Sequence, residues 1–93
     1  MKPIRYTKHL KTRIKLRNIQ YQLPRKIYKE AAEHYFDIQT ELKIALKPFQ
    51  FSGKIRGVIV VYKENKAVKL ITIHPLKKKQ KADRIKRGRW IKI

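Results

Sequence analysis

Residues 41–75 read ELKIALKPFQFSGKIRGVIVVYKENKAVKLITIHP, and their periodicity decides what kind of fold the rest of the chain must complete. Leu42, Ile44 and Leu46 alternate with Lys43, Ala45 and Lys47, the period-two pattern of a strand with one face covered. Pro48 has no N–H to give a ladder, so a bulge or an edge position is expected there, with Phe49 and Phe51 continuing in shifted parity. Ser52-Gly53 turns the chain into Lys54–Lys63, whose centre, Gly57-Val58-Ile59-Val60-Val61-Tyr62, predicts a central strand covered on both faces. Glu64-Asn65-Lys66 closes a second hairpin into Val68–His74, and Pro75 ends that strand. Three antiparallel strands in a meander are the expected centre.

Outward from this centre the period changes to that of helices. Ile4 and Tyr6 begin a short strand or an extended lead-in, and Thr7 caps a helix running to about Arg17, with Leu10 and Ile14 as its core stripe. Asn18 suits its stop. Pro24 suits the first turn of a second helix reaching about Phe36, in which Ile27, Ala31 and Tyr35 recur every four residues. On the other side, residues 77–87 have helix-forming composition but only Leu76, Ala82 and Ile85 to pack with, and Gly88 fits the helix stop. Residues 89–93 alternate and suit a fourth strand. The expected fold is therefore α+β: one domain, residues 1–93, with two N-terminal helices packed on a three- to four-stranded antiparallel sheet and a basic C-terminal helix.

Ninety-three residues make one domain, which on folding removes about two-thirds of its surface from water. Hydrophobic residues at 42%, nine aromatics among them, supply one core and argue against a disordered basic tail. Without cysteine there is no disulfide and no thiolate zinc site, and three scattered histidines predict neither a metal site nor a cofactor. The longest apolar run is far short of the ~20 residues of a membrane span, and residues 1–6 lack the apolar run of a secretory signal, so a cytoplasmic protein is expected. Gly53, Gly57 and Gly88 do not cluster into a phosphate cradle, and no carboxylate set is placed to hold Mg²⁺. Nucleotide hydrolysis is not expected.

The charge points elsewhere. The ends, residues 1–29 and 77–93, carry +18 of the net +20, while the strand-rich middle is nearly neutral. Basic helices flanking a neutral sheet predict a surface for a polyanion, RNA above all. Three constellations stand on it. His9, Arg13 and Arg17 share one helical stripe able to set an imidazole and two guanidiniums against a phosphodiester; the plainer reading is a solvated helix face. His74 ends a strand before Pro75, with Arg56 entering the neighbouring strand, and its plainer role is a turn histidine. Two histidines among cations, without a carboxylate pair, suit metal-independent RNA cleavage: a base takes the 2′-OH proton, cations stabilise the phosphorane and an acid protonates the 5′-oxygen. The third is the run Lys77, Lys78, Lys79, Lys81, Arg84, Lys86, Arg87 and Arg89, ending beside Trp90. It reads equally as a solvated tail or as phosphate contacts with a stacking platform, and Trp90 equally as a core anchor.

The order Tyr6-Thr7-Lys8-His9 leading a basic helix with Arg13 and Arg17, then Asn18-Ile19, a second helix, a meander ending Ile71-Thr72-Ile73-His74-Pro75, and Gly88-Arg89-Trp90, resembles the small RelE-superfamily toxin-like proteins, in particular an uncharacterised branch near the BrnT toxins. The resemblance implies an α+β ribonuclease fold, metal-independent cleavage of mRNA, including ribosome-bound mRNA, and an acidic antitoxin protein covering the basic face. It carries over to His9, Arg13, Arg17 and His74; Arg56, Arg87 and Arg89 follow from charge and place. The chain departs from toxins with a C-terminal catalytic Tyr, since no Tyr follows Tyr62. The expected function is an endoribonuclease toxin with His9, His74 and Arg13 as catalytic groups and the other cations and Trp90 binding RNA. The rivals are a non-catalytic RNA-binding or ribosome-associated protein and a basic DNA-binding partner in an operon regulator.

Overall fold

The alternation of residues 41–75 does become the centre of the sheet. The structure is a computed structural model describing residues 2–51 and 53–93. In chain order its elements are β1 (Ile4–Tyr6), α1 (Lys8–Leu16), α2 (Leu23–Glu30), β2 (Glu33–Asp37), β3 (Leu42–Phe51), β4 (Lys54–Glu64), β5 (Val68–Pro75), α3 (Gln80–Lys86) and β6 (Trp90–Lys92). Strands β3, β4 and β5 pair antiparallel as the meander.

The three- to four-stranded antiparallel sheet expected from the sequence is corrected to a six-stranded mixed sheet in the order β1-β5-β4-β3-β2-β6; the broad class remains α+β. The extra strands arise in three ways. β1 pairs parallel with β5, Ile4 opposite Val68, and β6 pairs antiparallel with β2, Trp90 opposite Asp37. Strand β1 stands where Ile4 and Tyr6 suggested a short strand and β6 where residues 89–93 suggested a fourth, but three residues do not show which neighbour each pairs with. The second helix stops at Glu30 rather than Phe36, because residues 33–37 pair with β3 from Glu33–Leu46 to Asp37–Leu42. Tyr35 satisfies a four-residue spacing and a two-residue one alike. A turn residue decides between them: Asp37 Oδ1 accepts the amides of Gln39 at 2.9 Å and Thr40 at 3.4 Å, closing the β2–β3 hairpin.

Pro48 also departs from expectation. The ladder runs through it without a shift, Lys47 opposite Val58, Pro48 opposite Gly57 and Phe49 opposite Arg56, so Phe49 and Phe51 keep the parity of Lys47. The β2 ladder ends at Leu46, leaving Pro48 beside a free edge where a missing N–H is tolerated. The register shift lies instead between Val61 and Tyr62 of β4 against β5. Ser52 of the expected turn lies outside the described residues.

The sheet buries both faces. On one, Leu10 and Ile14 of α1 and Leu23 and Ile27 of α2 pack on Ala45, Val58, Val60, Tyr62, Val68, Leu70 and Ile73. On the other, Tyr35, Ile44, Leu46, Ile59 and Trp90 form a second cluster, with Leu76 against it. Thr7 fixes where α1 starts: its hydroxyl oxygen accepts the Leu10 amide at 3.2 Å and the hydroxyl donates to the Ile71 carbonyl at 3.1 Å. Helix α1 thus runs along the part of β5 that β1 leaves unpaired. Gly57 does the same for the chain's return: a Cβ there would lie 3.1 Å from Leu76 Cδ1, and its carbonyl accepts the Leu76 amide at 2.8 Å. That close approach sets residues 76–80 and α3 over the second face. Helix α3 itself buries no residue.

Candidate nucleic-acid interface

His74 pairs with Ile59, and the alternation of β5 points its ring to the α3 side of the sheet. There it lines a cleft of about 180 Å³ with Ile59 and Val61 as floor and Gln80 and Arg84 of α3 as wall. The ring is half-buried. Its Nδ1 lies 3.3 Å from the Pro75 carbonyl, which can only accept, so in the neutral ring Nε2 holds the lone pair. Burial above all holds the imidazole below its ordinary range; the Pro75 carbonyl opposes this, and the charges of Arg13 and Lys77 lower it further. A neutral imidazole with a bare Nε2 is a proton acceptor.

Arg13 reaches this end of β5 from α1. Its Nε donates to the Ile73 carbonyl at 2.8 Å, next to His74, while its Nη atoms have no protein partner among the described residues. Nothing comparable draws in His9. It is exposed one helical turn before Arg13, and no hydrogen bond joins it to His74 or to a shared partner among the described residues. The structure therefore sets His74 beside Arg84 of α3 in the cleft, with Arg13 of α1 and Lys77 of the β5–α3 connection near enough for their charges to act on the imidazole.

The remaining cations divide. Arg89, placed by sequence among the RNA contacts, grips Asp37: Nε lies 3.0 and 3.1 Å from the two carboxylate oxygens and Nη2 3.0 Å from one. Asp37 is 3% exposed. Burial alone would raise its carboxyl, but Arg89 and the amides of Gln39 and Thr40 outweigh that and hold it below the carboxylate range. Lys81 is engaged by Glu33, which it holds below the usual range. Trp90 is 4% exposed, stacks on Tyr35 with ring centroids 5.6 Å apart and belongs to the second core cluster, so its ring is not open to a base. Its indole Nε1 has no partner among the described residues. Lys78, Lys79 and Arg87 are exposed around the ends of α3. Arg17 and Arg56 belong to a different place, beyond the end of β5.

That place was not legible as a site in the sequence. Arg17 and Gln20, near the α1–α2 turn, face Phe49, Gln50 and Phe51 of β3 across a groove of about 400 Å³. Because Pro48 does not shift the parity, both phenylalanines fall on the α1–α2 face, with Arg56 and Lys54 as cross-strand partners. Lys26 Nζ sits 5.4 Å from the centre of the Phe49 ring. The third histidine, His34, bonds the Tyr62 hydroxyl at 2.8 Å through Nδ1, and burial pushes that hydroxyl well above its ordinary range. These two groups satisfy each other.

Among the described residues five of the 26 Lys/Arg side chains take part in an ion pair, to Glu30, Glu33, Asp37 and Glu64. The other Lys/Arg side chains make no ion pair among the described residues. No group of three or more His, Cys, Asp or Glu side chains among the described residues is placed to hold a metal ion. No helix there is long and apolar enough to cross a membrane. Compared with known proteins, the chain matches no protein-family model, no curated sequence and no solved structure.

Proposed function

We propose that this protein is a metal-independent endoribonuclease of the RelE-like toxin kind, cleaving RNA in the cleft at His74. One observation carries the reading: a half-buried imidazole with an unclaimed Nε2 lies beside Arg84 in the cleft, with the charges of Arg13 and Lys77 acting on it. The one carboxylate in the cleft, Asp37, is neutralised by Arg89. His74 Nε2 takes the proton of a ribose 2′-OH, and the 2′-oxygen attacks the adjacent phosphorus. Arg13 and Arg84 stabilise the charge that builds on the phosphorane oxygens. The bond to the 5′-oxygen breaks, and the Lys77 ammonium supplies the proton that leaves with it. The products are a 2′,3′-cyclic phosphate and a 5′-hydroxyl, and solvent returns both side chains to their starting states. His9, which the motif suggested as a partner base or acid, has no part in this set.

The resemblance to RelE-like toxins rests on the short motifs of the sequence; it adds an acidic antitoxin protein as partner and a cytoplasmic setting, with which the absence of cysteine agrees. A second reading, a non-catalytic RNA-binding or ribosome-associated protein, is favoured by the many cations that lack an ion pair. Incubation with single-stranded RNA in EDTA separates the two. The enzyme reading expects cleavage that falls about 10²- to 10⁴-fold in His74→Ala, the usual range for a lost general base, with RNA affinity unchanged. Intact RNA at saturating protein would leave the binding protein alone.

A further inference from the structure

We infer that the groove between the α1–α2 turn and the outer half of β3 is a stacking subsite for one unpaired RNA base. The inference rests on the RNA-binding reading and deepens it, since it specifies a single strand with an extruded base. Three observations support it. Phe49 and Phe51 are both partly buried against the core, which fixes their rings, and both line the groove. At about 400 Å³ the groove lies in the range of small-molecule sites and has room for a nucleobase. Its surroundings are cationic: Arg17 lines it, Lys26 sits over Phe49, and Lys54 and Arg56 are exposed opposite Phe51 and Phe49. None of the four has an ion-pair partner among the described residues.

Two fixed rings, four cations without ion pairs and the side-chain amide of Gln20 match one ligand closely. Ring faces stack on a base of any identity, cations take the phosphates on either side, and an amide meets the base edge. Bases in a duplex stay stacked on their neighbours and do not enter. The groove and the His74 cleft open on opposite faces of the sheet, the groove on the α1–α2 face and the cleft on the α3 side. Arg17 follows Arg13 by one helical turn, about 6 Å along α1, and Arg17 lines the groove. The groove is therefore a subsite of its own on the RNA-binding surface.

The test is fluorescence anisotropy with the whole protein and a labelled 2′-O-methyl RNA oligonucleotide, which cannot be cleaved through its 2′-oxygen. An abasic residue scanned along the oligonucleotide is expected to weaken binding about tenfold at one position, the loss of one stacked base. Phe49→Leu and Phe51→Leu, which keep apolar volume, are each expected to weaken it by a similar factor, to leave the salt dependence unchanged and to remove the abasic effect. Phe49→Tyr, which keeps a π face, is expected to bind as the wild type does. Arg17→Gln is expected to reduce the salt slope by about 0.7, one phosphate contact on a single strand. The inference is overturned if the leucine variants bind like wild type, if duplex RNA of equal charge binds as tightly as the single strand, or if the groove variants lose only an acidic peptide. Steep salt dependence with unchanged leucine variants would remove the stacking site and leave RNA binding standing; absence of any RNA binding would remove both.

Discussion

Arg89 and Asp37 show how a residue in a basic run can be structural. The carboxylate lies on the α3 side of β2, the guanidinium arrives just before β6, and between them they join the C-terminal end of the chain to the β2–β3 hairpin. Removing Arg89 leaves a buried charge with only two amides for company. Arg89→Ala is therefore expected to destabilise the fold by about 3 kcal/mol, the low end for breaking a buried pair because the arginine side chain is a quarter exposed. Urea unfolding of Arg89→Ala beside Lys78→Ala measures it; equal midpoints would show that the pair contributes little. His74 makes a second prediction. Its pKa is lowered, so between its folded pKa and the ordinary value of 6.5 the unfolded chain binds more protons than the folded one. The contribution to stability is complete above 6.5 and is lost as pH falls through the folded pKa. Arg13→Gln removes one of the charges that disfavour the imidazolium and is expected to move the NMR titration of the His74 Cε1 proton upward. An unmoved titration would separate Arg13 from the site.

At the scale of elements, α3 is the least supported part of the fold. It buries no residue, Ile85 is 43% exposed, and it is held by its two flanking anchors, Leu76 against Gly57 and Arg89 on Asp37, with Lys81 on Glu33. Its amides are expected to exchange with solvent well before those of β3 and β4, whose strands pair on both sides, as hydrogen-exchange mass spectrometry would record. Co-exchange with the central strands would mean that α3 is part of the cooperative core. The same contrast explains what the sequence makes legible. Long periodic segments are readable: α1 with its Thr7 cap and Asn18 stop, β4 and β5 all appear where the pattern puts them. The errors fall where two periods or two causes compete. Tyr35 fits a helix and a strand alike, and only the side-chain turn at Asp37 chooses. Pro48 reads as an interruption because its tolerance depends on how far β2 extends, a tertiary fact. That mistake also hid the Phe49–Phe51 groove, since the shifted parity would have put the rings on the other face. His74 and Arg13 are legible as chemistry; their meeting at the unpaired part of β5 depends on β1 being only three residues long.

Over the whole molecule, the charge read from composition remains its strongest property. The acids are largely spent on ion pairs with five of the 26 cations, and what remains is positive charge on both faces of the sheet, around the His74 cleft on one and the Phe49–Phe51 groove on the other. Binding to single-stranded RNA is expected to weaken about 100-fold between 50 and 200 mM salt if about five phosphates are contacted at a slope of about −0.7 each. Anisotropy over a salt series measures the slope, and a flat response would rule out the polyanion surface. Catalysis is the sharper claim, and the ends of its products test it most directly. Mass spectrometry of RNA incubated with the protein in EDTA is expected to find 2′,3′-cyclic phosphate and 5′-hydroxyl termini, and to find them forming about 10²- to 10⁴-fold more slowly with His74→Ala. Cleavage at the wild-type rate in His74→Ala, or RNA left whole by a wild-type protein that saturates it, would contradict the account.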